Sequence, residues 1–413
     1  MKKYLFLVLL FVCWGYHSSW AQLAYNEPVN KNLLLQADRY FEREAFQHAV
    51  ALYQKILEQT PQPEVMVKAA RCYVKLNNFH NAAFWYKRAM HFEIQPTELW
   101  LEFAACQKRL GNYNKADQVY REYLAKFPQD QAVQNFIIDL QILSHEKVQP
   151  VEIRKLNLDL GGPAFAPSFW NGGLVVVASG NTGGFAKGIA AWSEQPYYDL
   201  YFVPLSDNTA RSSKYFDRKI NSIYHEGPAV FLENGERIIF TRSCDRKSQQ
   251  KRNLKLMTAY QKKNGKWGKA KPLKINQKNV SMGHPALSSD GKTLFFVSNA
   301  PGGYGGTDLY RSRWSENGWQ QPENLGPQIN SSGDELFPTV NNRHLFFSSN
   351  GKGGYGGLDI WVYDLDQPGK PKNAGQPFNS KHDDFGLIWD LKANKGYFSS
   401  NRKGQDAIYQ ATR

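Results

Sequence analysis

Cysteine is scarce in this 413-residue sequence: there are four, and Cys72, Cys106 and Cys244 alone remain once the first 21 residues are set aside. An odd, sparse set of that kind builds no disulfide framework. After that N-terminal stretch no apolar run reaches the roughly 18 residues a spanning helix needs, so the rest of the chain is expected to cross no membrane. The motifs of familiar catalysts are missing too: there is no HExxH, no paired CxxC, no GxSxG and no P-loop. His225-Glu226 and His145-Glu146 are isolated dyads without a second ligand at useful spacing. The Asp290-Gly291 turn lacks the alternating acidic ligands of a calcium loop. No catalytic residue, metal or cofactor is expected, and the chain reads as a non-enzyme.

Acidic residues are nearly absent from one stretch. Between Arg242 and Lys274 twelve Lys/Arg face Asp245 alone, which accounts for most of the formal net charge of +14. Lys247, Lys251, Arg252, Lys255, Lys262, Lys263 and Lys266 there form a candidate patch for an anionic partner: lipid phosphate, an envelope polymer or an acidic protein. The alternative is a solvated loop that keeps the protein soluble.

Residues 1–21 read as a secretory signal, with Lys2 and Lys3 as the positive start, Tyr4 to Trp14 as the apolar stretch and Ser19-Trp20-Ala21 as the cleavage site. Val12 stands before Cys13 where a lipoprotein signal wants a small side chain. An exported chain of this kind is not expected to meet nucleic acid.

From about Asn32 to Glu146 glycine is rare and apolar residues recur at helical spacing. Ala49-x3-Tyr53, Ala82-x3-Tyr86 and Ala116-x3-Tyr120 superpose at intervals of 33 and 34 residues. Each follows a small turn and an aromatic: Ala45-Phe46, Asn78-Phe79, Asn112-Tyr113. A small alanine lets two helices approach, and an aromatic one turn later fills the space between them. This pattern resembles the tetratricopeptide repeat over about 31–128, with 129–146 as a solvating cap helix. In such arrays the first helices line a concave groove, which the resemblance maps to Asp38, Glu42, Arg71, Lys75, Lys108 and Arg109 as candidate partner-binding residues. Cys72 and Cys106 occupy the same position in successive repeats, too far apart for a disulfide across packed helices, and are expected to be reduced core residues.

Around Lys147-Val148-Gln149-Pro150 the composition changes, and a linker is expected at 147–150. Residues 151–413 are rich in Gly, Asn, Ser and aromatics with short β-prone runs. Two copies are plain: Gly283 to Asn299 and Leu336 to Asn350, each followed by Gly-Gly-Tyr-Gly-Gly-x-Asp (302–308 and 353–359). Weaker copies start near Pro167, Pro228 and Phe385. Asn171-Gly172, Asn234-Gly235 and Asp290-Gly291 are expected at two-residue turns. Five small antiparallel sheets that close radially make a propeller. A sixth stays open if 180–226 or 242–282 hides a degenerate unit. The last copy ends at its third strand, so Val151 to Leu156 is expected to pair with it and close the ring. The glycine loops fail as phosphate cradles, having no Lys-Ser/Thr ending and no following helix. Their glycines are expected to supply positive φ, and the recurring Asp199, Asp308, Asp359 and Asp406 to fasten backbone.

The strand-turn-strand phrase ending Phe-x-Ser-Asn, followed by Asp-[Leu/Ile]-[Tyr/Trp], resembles the TolB-type, WD40-like propeller repeat of bacterial periplasmic proteins. The whole order resembles the front part of periplasmic OmpA-family proteins of Bacteroidota, among them the PorE-type component of type IX secretion and gliding machinery. In that family a further OmpA-like module grips peptidoglycan. No such module follows here, so that anchoring role is not carried over. The resemblance implies a periplasmic protein, associated with the outer membrane, that joins envelope or secretion-complex proteins as a non-enzymatic scaffold. The rival expectation is an envelope glycan-binding protein or hydrolase at the propeller mouth, which clustered carboxylates and aromatics there would favour.

Overall fold

The computed structural model describes residues 31–92, 97–145, 148–180, 197–205, 213–244 and 253–413. The expected signal segment, 1–21, lies outside them. The chain divides into two compact units, Met1–Cys106 and Gln107–Arg413, with the division inside one helix.

In the first unit, α1 (Lys31–Glu42), α2 (Phe46–Gln59), α3 (Pro63–Lys75) and α4 (Phe79–Ala89) form two helical hairpins, and α5 (Glu98–Leu110) begins a third. The turns close where Glu44 and Asn77 take φ of 60° and 56°, and Asn78 caps α4 by accepting the Asn81 amide at 3.2 Å. Pro63 starts α3 at a position whose N–H has no helical partner anyway. Ala49 and Ala82 are completely buried, and Tyr53 and Tyr86 fill the adjoining space as the repeat spacing requires. Cys72 and Cys106 are buried and reduced. Burial pushes the Cys72 thiol up to about 12, so it stays protonated.

The second unit begins with α6 (Tyr113–Lys126) and α7 (Gln131–His145). Asp130 caps α7, its Oδ1 accepting the amides of Ala132 and Val133 at 3.1 and 3.2 Å. One face of α7 buries Val133, Ile137 and Leu140. The other face differs from the expected polar cap: Ile138 and Ile142, one turn apart, are 50% and 56% exposed.

Twenty-one strands follow among the described residues. After β1 (Glu152–Lys155), blade one is β2 (Ala164–Trp170), β3 (Gly173–Ala178), β4 (Asp199–Pro204) and β5 (Lys214–Tyr215). Blade two is β6 (Glu226–Leu232), β7 (Arg237–Cys244), β8 (Asn253–Tyr260) and β9 (Lys271–Pro272). Blade three is β10 (Met282–Leu287), β11 (Thr293–Ser298), β12 (Asp308–Ser315), β13 (Gly318–Trp319) and β14 (Glu323–Asn324). Blade four is β15 (Glu335–Asn341), β16 (His344–Ser349), β17 (Asp359–Asp364) and β18 (Lys372–Asn373). Blade five is β19 (Asp384–Asp390), β20 (Lys395–Ser400) and β21 (Ala407–Thr412). The innermost strands touch in the circuit β2, β6, β10, β15, β19 and back to β2. The architecture is a tetratricopeptide-like helical array followed by a five-bladed propeller. β1 supplies the fourth strand of blade five, pairing Glu152 with Thr412 through Lys155 with Tyr409.

Every innermost strand carries a bulge at the same place, between Phe165/Ser168, Glu226/Ala229, Gly283/Ala286, Leu336/Thr339 and Phe385/Ile388. Pro167, Pro228, Pro285 and Pro338 lie within these bulges. An innermost strand is an edge whose outer N–H groups face the axis, so proline costs no ladder bond there.

Each connection leading to the next blade is tied back to the third strand of its own blade by a repeated asparagine. The side-chain amides of Asn221, Asn276, Asn330 and Asn379 exchange two hydrogen bonds each with the backbone of Leu200, Leu256, Leu309 and Ile360, standing in for a strand residue. In three blades a serine follows and binds the buried carboxylate that opens the next inner strand: Ser222 on Glu226, Ser331 on Glu335, Ser380 on Asp384.

Two local expectations are corrected. Of the three expected turns, Asn171-Gly172 alone closes its hairpin in two residues, with Trp170 paired to Gly173 and φ of 45° and 72° in the turn. Leu232 pairs with Arg237 and Leu287 with Leu294, so Asn234-Gly235 and Asp290-Gly291 sit within longer connections. The glycine loops also owe their composition to a different cause. Gly302 alone among them takes positive φ, 85°, whereas a side chain at Gly305 or Gly356 would collide with the carbonyl of Gly333 or His382. Two of the four aspartates fasten backbone: Asp308 accepts the amides of Tyr304 and Gly305 at 2.7 and 3.1 Å, and Asp359 accepts that of Gly356 at 3.0 Å.

Candidate functional site

Four of the six groove candidates are held in ion pairs or buried. In the first unit Asp38 accepts Lys68 at 2.8 Å and the Tyr53 hydroxyl at 2.6 Å. Arg71 grips Glu102 with two nitrogens, at 3.0 and 2.7 Å, and Tyr86 donates to the same carboxylate. These pairs stitch α1 to α3 and α3 to α5. Glu42 and Lys75 are exposed.

Lys108 and Arg109 belong to the second unit. Arg109 makes a two-pronged pair with Asp383, whose carboxyl is held below the usual range despite burial by the guanidinium beside it. Lys108 is buried near Asp359, and burial lowers its pKa. Burial raises Asp359 to about 7 against the opposing pull of Lys108, and one of its oxygens, Oδ1, has no partner among the described residues.

The candidate basic patch is described only in part. Lys247, Lys251 and Arg252 lie outside the described residues. Lys255 is half-buried on β8 opposite Arg242. Lys262, Lys263 and Lys266 are exposed on the turn beyond the other end of that strand, roughly 20 Å away at strand rise.

The two ends of the ring differ. At the bulge level Phe165, Phe337 and Phe385, from blades one, four and five, meet across the axis with centroids 6.3, 6.1 and 4.5 Å apart. His284 stacks on Phe337 at 4.3 Å, and its Nδ1 accepts the Phe337 amide at 3.2 Å. Burial lowers its pKa to about 4, so the imidazole is neutral. Beyond this plug a channel of about 190 Å³ runs between the inner strands. It shares Phe169, Phe231 and Leu287 with a wider cavity of about 1060 Å³, a funnel built by the hairpin turns of blades one, two, three and five.

Aromatics and charges line that funnel in alternation. The Arg237 guanidinium lies 5.0 Å from the ring of Tyr260 and 5.6 Å from that of Trp314, with Glu233 3.5 Å away. Trp314 meets Trp319 edge-on at 5.0 Å. Trp170 donates its indole N–H to Gly235 at 3.0 Å and packs among Phe202, Phe216 and Phe231, which anchors two of the turns. Asp290 and Asp390 fasten their own turns through Oδ1, accepting the amides of Lys292 and Lys392 at 3.0 and 2.8 Å. Hydrogen bonds from the Ser288 hydroxyl and the Lys292 amide hold Asp290 below the usual carboxylate range.

Sequence reasoning missed this funnel because its residues sit in six separate stretches. The hairpin-turn signals were legible and mark its rim. What they lacked was the knowledge that four of the turns converge.

Compared with protein families and with curated proteins, the chain matches none. Solved structures with similarity include a TolB of Agrobacterium tumefaciens, 14% identical over 60% of this chain and 76% of that one, TM-score 0.39. The first tetratricopeptide domain of Spaghetti (RPAP3), bound to an HSP90 peptide, is 19% identical over 28% of this chain and 94% of that one, TM-score 0.25. A Trypanosoma rangeli sialidase in complex with sialic acid is 11% identical over 63% of this chain and 55% of that one, TM-score 0.35. Likeness at this level concerns fold alone.

Proposed function

We propose that the protein is a non-enzymatic scaffold of the cell envelope, periplasmic and associated with the outer membrane, that joins protein partners, including components of type IX secretion or gliding machinery. The observation that carries this reading is the outward face of α7. The last helix of a stacked array is polar where it meets only water, yet Ile138 and Ile142 are at least half exposed. An apolar pair at i and i+4 is what a partner helix takes as anchors. The envelope and secretion assignment rests on the family resemblance of the sequence. Affinity capture from crosslinked envelopes tests the reading. A defined protein set is expected with the native chain and is lost with Ile138→Asp/Ile142→Asp. Recovery of the same set with that variant, or of none with the native chain, counts against it.

The glycan-binding rival gains support from the aromatics and carboxylates that do cluster at the propeller funnel.

A further inference from the structure

We infer that the funnel at the hairpin-turn face of the propeller binds a neutral oligosaccharide. The inference goes beyond the scaffold reading, which rests on α7 and would stand without it.

Charge decides against an ionic ligand. Among the described lining residues Glu233, Asp290 and Asp390 are balanced by Arg237, Lys292 and Lys395. A cavity with equal numbers of both signs focuses no net field on a polyanion or a basic peptide. Such a ligand would leave half of these groups facing like charge. A sugar hydroxyl donates and accepts at once, so interleaved carboxylates and cations suit it. Asp290 and Asp390 each use only Oδ1 on their own turns, and Oδ2 takes no hydrogen bond there among the described residues.

The apolar part of the lining fits the same ligand. Trp314 and Phe169 remain 46% and 38% exposed. Flat rings at that exposure lose unfavourable contact with water when the C–H face of a pyranose covers them. Trp314 is fixed from behind by Trp319 and beside Arg237, so little freedom is lost on binding.

Size and depth set the length and pose. A volume of about 1060 Å³ lies just above the about 300–1,000 Å³ usual for small-molecule sites, enough for several sugar units. The aromatic plug closes the axis, so the chain lies across the mouth and does not thread the ring.

The purified chain is titrated with cellohexaose, maltohexaose and hexa-N-acetylchitohexaose, read by tryptophan fluorescence and by calorimetry, with heparin and polylysine as ionic controls. At least one hexasaccharide is expected to bind saturably, and Trp314→Ala and Asp390→Asn to weaken it roughly tenfold or more. Trp314→Phe, which keeps a flat face, retains binding, and matching far-ultraviolet circular dichroism shows that the variants fold. No saturable binding by any of the three sugars overturns the inference, as does undiminished binding by Trp314→Ala. Loss of an envelope protein from Trp314→Ala captures while no sugar binds also overturns it and assigns the funnel to a protein. The α7 capture experiment reads the scaffold separately, so the two can fail independently.

Discussion

His284 shows how a single buried side chain sets a pH limit. Its folded pKa of about 4 lies below the ordinary 6.5, so between these values the unfolded chain binds more protons than the folded one. Stability from this residue is complete above about pH 6.5 and is lost as pH falls towards 4. His284→Asn keeps an acceptor for the Phe337 amide and tolerates the local φ of 48°. Its thermal midpoint is expected to fall less than that of the native chain between pH 6.5 and 4. Asp359 and Asp406 act with the opposite sign, because burial raises them to about 7 and about 6. Their contribution is present at low pH and fades as pH rises through those values. Arg109 presents the buried-pair case: Arg109→Ala leaves the Asp383 carboxylate without its partner and is expected to cost about 3 kcal/mol in urea unfolding. The placement of Arg109 was illegible in sequence, since its partner lies 274 residues away.

The glycine loops and the closing strand carry the predictions for local structure. Gly356→Ala puts a methyl group against the His382 carbonyl and is expected to destabilise by about 1–3 kcal/mol. Gly302→Ala meets no neighbour, only the strain of φ 85°, and should cost about 1 kcal/mol. Thermal melts of the two variants compare crowding with backbone strain directly. Removing 151–156 strips β21 of one of its two partners, leaving β20, and is expected to speed amide exchange along Ala407–Thr412. This closure was legible because the last copy lacked a fourth strand and an unused β-prone segment preceded the first. Helical repeats were equally legible, since Ala-x3-Tyr spacing is local. The inner-strand bulges were not, because Pro167 and Pro228 looked like the starts of copies, and only an edge facing the axis accommodates them together with Pro285 and Pro338. The Asn-Ser phrases at 221–222, 330–331 and 379–380 were visible repeats whose bonding role needed the neighbouring strand.

For the molecule as a whole, the five-bladed ring was readable because each blade repeats a phrase, whereas the funnel was not. Periodicity reports what recurs, and a binding surface is made from what differs between copies: at the register of Trp314 the other blades carry Leu205, Gln261, Leu365 and Arg413. The same logic separates the two binding proposals. The α7 stripe is apolar and belongs to a helix end, while the funnel is mixed and belongs to hairpin turns. Variants at one are expected to leave ligand capture at the other unchanged, which paired capture and titration of the Ile138→Asp/Ile142→Asp and Trp314→Ala chains would read.

The clasp between β1 and β21 has a consequence for biogenesis. Arg154 and Gln410, which face each other in it, are 256 residues apart, so the first half of the fastening emerges long before the second. Until release of the last segment, the nascent ring has two raw edges and invites pairing with other chains. Chains clipped before β21 are therefore expected to be degraded faster than the full chain, which limited proteolysis of the two would read.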